Sequence, residues 1–173
     1  MVTTTSPTLY LFVGYPGAGK THVAKLIEDR TGAEHLWADC IRQERFPNPT
    51  HSRVESKQLY DELNATTAQL LASGKSVIFD TNFNFHNDRQ LLRRIATDNL
   101  ATTVLIWVNT PKAVSHQRAV HGKVSRNGYA VNITEADFER MVGNFEPPHE
   151  DEHAVAIDGT RLDPLVVYQV LGI

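Results

Sequence analysis

Eight consecutive residues, Gly14-Tyr15-Pro16-Gly17-Ala18-Gly19-Lys20-Thr21, constrain this chain more than any other stretch. They satisfy the pattern G-x-x-x-x-G-K-S/T in full. Before them runs a continuous apolar segment, Leu9-Tyr10-Leu11-Phe12-Val13, which reads as a strand buried on both faces. After them Val23, Ala24, Leu26 and Ile27 recur at helical spacing until Gly32. A glycine-rich turn between a buried strand and a helix lets successive backbone N–H groups point inward around an anion. The helix beginning at Lys20 adds the positive end of its dipole. The expected ligand is a nucleoside triphosphate held by residues 14–21 together with His22. Lys20 is then a point charge on the β- and γ-phosphates, and the Thr21 hydroxyl is a ligand for Mg²⁺. The Asn-Lys-x-Asp signature that reads guanine is missing from the sequence, which favours ATP over GTP.

The rest of the chain alternates strand and helix patterns. Strands are expected at 35–38, 76–79, 102–108 and 153–157. Helices are expected at 55–73, at 87–98 with Leu91, Leu92 and Ile95 facing inward, from the Thr110-Pro111 start to Gly122, at 134–144, and from Asp163-Pro164 onward. The stretch 122–133 lacks periodicity and reads as a mobile loop within a lid over 118–133, and residues 1–8 read as flexible. This alternation predicts an α/β fold in three layers, with helices covering both faces of a five-stranded parallel sheet. A length of 173 residues, with neither repeat nor linker, predicts a single domain over 1–173.

Composition narrows the function classes. A formal charge of −3 gives no global basic field, which argues against a nucleic-acid coat protein. The single cysteine, Cys40, rules out an intrachain disulfide and a cysteine-rich zinc site. His86, His116, His121 and His149 show no metal-ligand spacing and are expected at the surface. No apolar run is long enough for a membrane span, and the polar N-terminal residues do not read as a signal peptide, so the cytoplasm is the expected compartment.

Two carboxylates stand where a parallel sheet binds its ligands, beyond the carboxyl ends of its strands. Val77-Ile78-Phe79-Asp80 is an apolar run ending in Asp, the pattern whose carboxylate holds Mg²⁺ directly or through water. Asp39 follows the second strand, where it either caps a turn or takes the proton from a phosphoryl acceptor hydroxyl. Arg42, one helical turn later, either pairs with Asp39 or holds an anionic substrate group.

The phosphate loop, Asp39-Cys40-Ile41-Arg42 and Asp80-Thr81-Asn82 together resemble the P-loop kinases related to phage polynucleotide 5′-hydroxyl kinase. That group includes small kinases labelled AAA-type ATPases, with zeta-toxin-like and antibiotic phosphotransferases as more distant relatives. The resemblance runs from Leu9 to about Ile157 and implies the nucleoside-monophosphate-kinase-like version of the fold, with an arginine-bearing lid. It also implies that Asp39 is the general base, that Arg42 holds a phosphate-bearing acceptor, that Asp80 organises the Mg²⁺ site and that Asn82 positions substrate. The lid arginines would be Arg118 and Arg126, with His121 standing where the family often has a second arginine.

Arg89, Arg93 and Arg94, with Lys112, Lys123 and Arg126, either line a groove for a polyanion or form solvated faces. Phe83 and Phe85 either stack on a base or anchor their loop. Phe145 is expected to pack inward, with Pro147 and Pro148 ending a helix. Three functions follow: a kinase transferring the ATP γ-phosphate to the hydroxyl of an unidentified small molecule or nucleotide, a polynucleotide 5′-hydroxyl kinase, and an ATPase switch without an acceptor. Asp39 with Arg42 favours a kinase, because a switch requires neither an acceptor base nor an acceptor clamp.

Overall fold

The computed structural model describes residues 6–122 and 133–173. Five strands, β1 (Thr8–Val13), β2 (Glu34–Trp37), β3 (Val77–Asp80), β4 (Thr102–Asn109) and β5 (Val155–Asp158), form one sheet in the order β2-β3-β1-β4-β5. Every neighbouring pair is parallel. Alternation along β1 makes the three layers. Leu9, Leu11 and Val13 point into one core with Leu59, Leu63 and Leu92, whereas Tyr10 and Phe12 point into the other with Val23, Ile27 and Val167. Helices α3 (Arg53–Ala72) and α4 (His86–Asp98) therefore cover one face, and α1 (Lys20–Thr31) and α7 (Pro164–Leu171) the other. The remaining helices are α2 (Ala38–Arg45), α5 (Lys112–His121), α6 (Glu135–Gly143) and a short 3₁₀ turn at Glu150–Glu152.

The α/β class and the five parallel strands agree with the sequence pattern, and several local expectations are corrected. The second strand is β2 at Glu34–Trp37, and Ala38 already belongs to α2. Asp39 is thus not a residue in a turn but lies in the first turn of a helix, where the unpaired N–H groups favour a carboxylate. The fifth strand begins at Val155, because His153 takes the left-handed conformation that ends the 3₁₀ turn. Leu91 faces solvent, since the buried stripe of α4 runs through Arg89, Leu92 and Ala96. Thr110 does not cap α5; its hydroxyl donates instead to the Ala18 carbonyl at 2.8 Å and braces the glycine-rich loop. Of the lid expected over 118–133, residues 118–121 belong to α5, and 123–132, with Lys123 and Arg126, lie outside the described residues.

Candidate active site

Strand β1 is the central strand, and its carboxyl end delivers the chain directly into the glycine-rich loop. Gly17 takes φ of 78°, and a Cβ there would collide with the Ser115 carbonyl and lie 3.0 Å from the Ala119 N of α5. Only glycine allows that closeness together with a positive φ. Lys20 folds back over the loop, its Nζ donating to the carbonyls of Gly14 at 3.0 Å and Tyr15 at 2.9 Å. Desolvation lowers the Lys20 amine to about 8, against the opposing pull of Asp80 and Asp39. The loop contributes unevenly. Pro16, Gly17, Gly19, Lys20, Thr21 and His22 line a cleft of about 1520 Å³, whereas the Ala18 side chain is fully buried and the Tyr15 ring turns away to pack on Phe145 at 4.9 Å. Gly14 and Tyr15 therefore offer the cleft no side chain. The cleft exceeds the roughly 300–1,000 Å³ of a pocket for one small ligand and so has room for a donor and an acceptor together.

Asp39, Asp80 and Asn82 line the same cleft as Lys20 and Thr21. Asp80, at the end of β3, is 3% exposed. The Asp39 carboxyl is pushed above the ordinary aspartate value by desolvation and then by the Asp80 charge, with Arg42, Lys20 and His51 opposing. The Lys20 charge thus acts with both carboxylates, while the Asp80 charge opposes ionisation of Asp39. Thr21 and Asp80 offer the hard oxygen donors that suit Mg²⁺, and the inward-turned loop with Lys20 suits a triphosphate.

Arg42 is brought to the cleft, but not to Asp39. It is 5% exposed and donates to Glu55 Oε1 at 2.5 Å and to Ser56 Oγ at 3.4 Å. Glu55 also accepts from Thr50 N at 2.6 Å, Thr50 Oγ1 at 2.8 Å and His51 N at 3.2 Å. The backbone bond from Thr50 is the chief reason this carboxyl falls to about 2. The expected anion clamp is therefore already matched by a carboxylate of the chain itself. Arg118, exposed on the last turn of α5, donates to the Gly159 carbonyl at 2.9 Å in the loop after β5 and faces the cleft from that side.

Of the basic residues read either as a polyanion groove or as solvated faces, three are engaged within the chain. Arg89 is fully buried and bidentate on Glu152, Arg93 donates to the Glu152 carbonyl, and Lys112 pairs with Glu139 at 2.7 Å. Phe83 is buried beneath the 81–85 loop, while Phe85 is 45% exposed at the cleft. His149 is exposed as expected and His86 partly so, and their rings stack at 4.3 Å beside Glu152.

Sequence reasoning missed three residues at the site. His35 places Nε2 3.2 Å from Asp80 Oδ2 and Nδ1 2.8 Å from Glu28 Oε2. Burial lowers its proton affinity, but the two carboxylates outweigh burial and hold the ring above the ordinary histidine value. Tyr60 bonds the Thr81 hydroxyl at 2.8 Å. Only Glu55 had a sequence signal, the Ser52-to-Glu55 spacing of a helix start, and Ser52 Oγ does accept from Glu55 N at 3.2 Å.

Residues 9–148 match the family described as an AAA domain. Among solved structures, the Mycobacterium tuberculosis APS kinase CysC in complex with AMPPNP and APS superposes with a TM-score of 0.69 at 18% identity, covering 96% of each chain. A gluconokinase from Sinorhizobium meliloti 1021 gives a TM-score of 0.63 at 18% identity, over 95% of this chain and 88% of that one. A chain of the Pnkp1/Rnl/Hen1 RNA repair complex gives 0.67 at 21% identity, over 83% of this chain and 45% of that one. These identities establish likeness of fold. No curated protein matches the sequence.

Proposed function

Since this chain belongs to the AAA-domain family and has the P-loop kinase fold, we propose that it is a phosphotransferase moving the γ-phosphate of Mg-ATP to the hydroxyl of a small molecule. The observation that carries this reading is the convergence of Lys20 with Asp39 and Asp80 at the carboxyl end of the sheet, in a cleft with room for two ligands. ATP as donor is supported by the AMPPNP of the APS kinase complex.

In this reading the loop N–H groups and Lys20 hold the β- and γ-phosphates, and Thr21 and Asp80 hold Mg²⁺, which when bound neutralises the triphosphate charge. Asp39 takes the acceptor's proton, its raised proton affinity making it a stronger base than an ordinary aspartate. The acceptor oxygen bonds to the γ-phosphorus as the bond to the bridging oxygen breaks, and ADP leaves. Arg118 serves the nucleotide from α5, Arg126, outside the described residues, is the second lid arginine of this reading, and Asn82 orients the acceptor. No helix of the described residues is long and apolar enough to cross a membrane, and cytoplasmic ATP would supply the donor.

A 5′-hydroxyl oligonucleotide is the second acceptor class, favoured by the exposed Phe85 ring at the cleft. Against it, Arg89, Arg93 and Lys112 are already engaged within the chain.

The test is transfer of label from γ-labelled ATP with Mg²⁺ to sugars, nucleosides, aminoglycosides and 5′-hydroxyl oligonucleotides in turn. Transfer to at least one hydroxyl class is expected, abolished in Lys20→Ala and lowered about 10²–10⁴-fold in Asp39→Asn. ATP hydrolysis indifferent to every acceptor would instead mark a switch.

A further inference from the structure

Asp80 carries a device that its own sequence neighbourhood does not reveal. Its Oδ2 faces Nε2 of His35 at 3.2 Å, and the opposite ring nitrogen of His35 faces Glu28 Oε2 at 2.8 Å. Both inner members are buried, the His35 side chain being 8% and the Asp80 side chain 3% exposed. The three residues sit on three different elements: Glu28 on α1, the helix that starts at the phosphate loop, His35 on β2 and Asp80 at the end of β3. Trp37, two positions along β2, stacks on the His35 ring at 6.3 Å and is itself covered by the Lys25 ammonium.

An aspartate carboxylate turns easily about its last torsion, which has broad wells. A hydrogen bond from a ring that is itself anchored removes that freedom. Engaging Oδ2 leaves Oδ1 as the oxygen through which Asp80 serves a cation. Because the ring is tied back to α1, the carboxylate is also set relative to Thr21, the other oxygen donor, which lies in the first turn of the same helix.

We propose that His35, anchored by Glu28, is a positioning residue that fixes the Asp80 carboxylate for the divalent cation of the nucleotide site. The proposal rests on the Mg-ATP reading of the cleft. Partners that orient a ligating group typically carry about 10–100-fold in metal affinity or activity.

The test separates metal binding from nucleotide binding in the full chain. Mn²⁺ affinity is measured with AMPPNP present by the loss of the free-ion electron paramagnetic resonance signal, and metal-free AMPPNP binding is measured by calorimetry. His35→Ala is expected to weaken Mn²⁺ binding about 10–100-fold while metal-free AMPPNP binding stays at the wild-type value. His35→Gln, whose amide N–H can donate to the same oxygen, is expected to recover most of that loss. Glu28→Gln is expected to show a smaller loss in the same direction. If His35→Ala folds poorly, Glu28→Gln carries the test alone. Unchanged Mn²⁺ affinity in folded His35→Ala, or in Glu28→Gln where that variant carries the test, overturns the proposal. So does an equal loss of Mn²⁺ and metal-free AMPPNP binding, which would make His35 only a structural brace. A wild-type chain that binds no AMPPNP, with or without Mn²⁺, would instead overturn the Mg-ATP reading beneath it.

Discussion

Arg89 lies flat against Glu152, its Nε on Oε1 and its Nη2 on Oε2, both at 2.8 Å, with neither side chain exposed to solvent. The third guanidinium nitrogen, Nη1, donates to the carbonyls of Phe83 at 3.0 Å and Glu146 at 3.2 Å. One arginine thus ties the loop after β3, which carries Asn82, to the segment leading into β5.

Breaking this pair from one side is expected to be costly. A buried charge left without its partner destabilises by about 3–5 kcal/mol. Arg89→Met strands the Glu152 carboxylate and frees two carbonyls, so its urea midpoint is expected to fall by a corresponding amount. Replacing both members, Arg89→Met with Glu152→Leu, is expected to recover part of the loss. A single variant within about 1 kcal/mol of wild type in urea unfolding would contradict this.

Acid sensitivity follows from the same chemistry. Glu55 is held to about 2 chiefly by the Thr50 N–H, and Glu152 is held to about 2 by the Arg89 guanidinium and the His149 N–H, which overcome the upward push of burial. Both folded values lie below the unfolded glutamate value of about 4.3. Their stabilisation is therefore full above that value and drains away as pH falls through the window down to about 2. Urea midpoints measured across that window are expected to drop steeply in the wild type and less steeply in Glu55→Gln, which is already weaker at neutral pH.

Lys20 gives a prediction on the alkaline side. With its amine lowered to about 8 by desolvation, the free protein holds a growing share of neutral Lys20 above that pH. Phosphate oxygens favour the charged amine, so ATP binding is expected to draw a proton onto the protein. Calorimetry at about pH 8.5 in two buffers of different ionisation enthalpy is expected to show proton uptake, with affinity falling as pH rises further. Lys20→Ala removes the uptake.

What was legible in the sequence is what the backbone decides locally. The glycine-rich loop is built from consecutive residues, so its place between β1 and α1 was legible from Gly14 to Thr21, and the apolar run ending at Asp80 announced the strand that brings this carboxylate to the same cleft. What was illegible depends on partners brought in by the tertiary fold. His35 meets Asp80 across 45 residues and Arg89 meets Glu152 across 63, and no spacing rule spans such separations. Arg89 shows the consequence most clearly. Beside Arg93 and Arg94 it reads as one side of a solvated or anion-binding helix, yet the buried stripe of α4 passes through it because Glu152 waits inside.

Arg42 separates the reading from sequence from the reading from structure. The sequence offered it as a clamp for an anionic acceptor. In the fold its Nη1 and Nη2 are turned to Glu55 and Ser56, and its charge acts on Asp39 from that position. Removing Arg42 takes away a charge that lowers the Asp39 carboxyl, so Asp39 rises further. A base must be deprotonated to accept a proton, so the acidic limb of the kcat/KM profile is expected to move to higher pH in Arg42→Met. Stability is expected to fall as well, because Glu55 loses the guanidinium and keeps only its Thr50 and His51 hydrogen bonds. The Michaelis constant for a neutral acceptor is expected to change little. An acceptor clamp would behave differently: it would raise the Michaelis constant of anionic acceptors alone and leave the pH profile in place. Steady-state kinetics across pH with one neutral and one anionic acceptor, beside urea unfolding of the same variant, distinguishes the two roles.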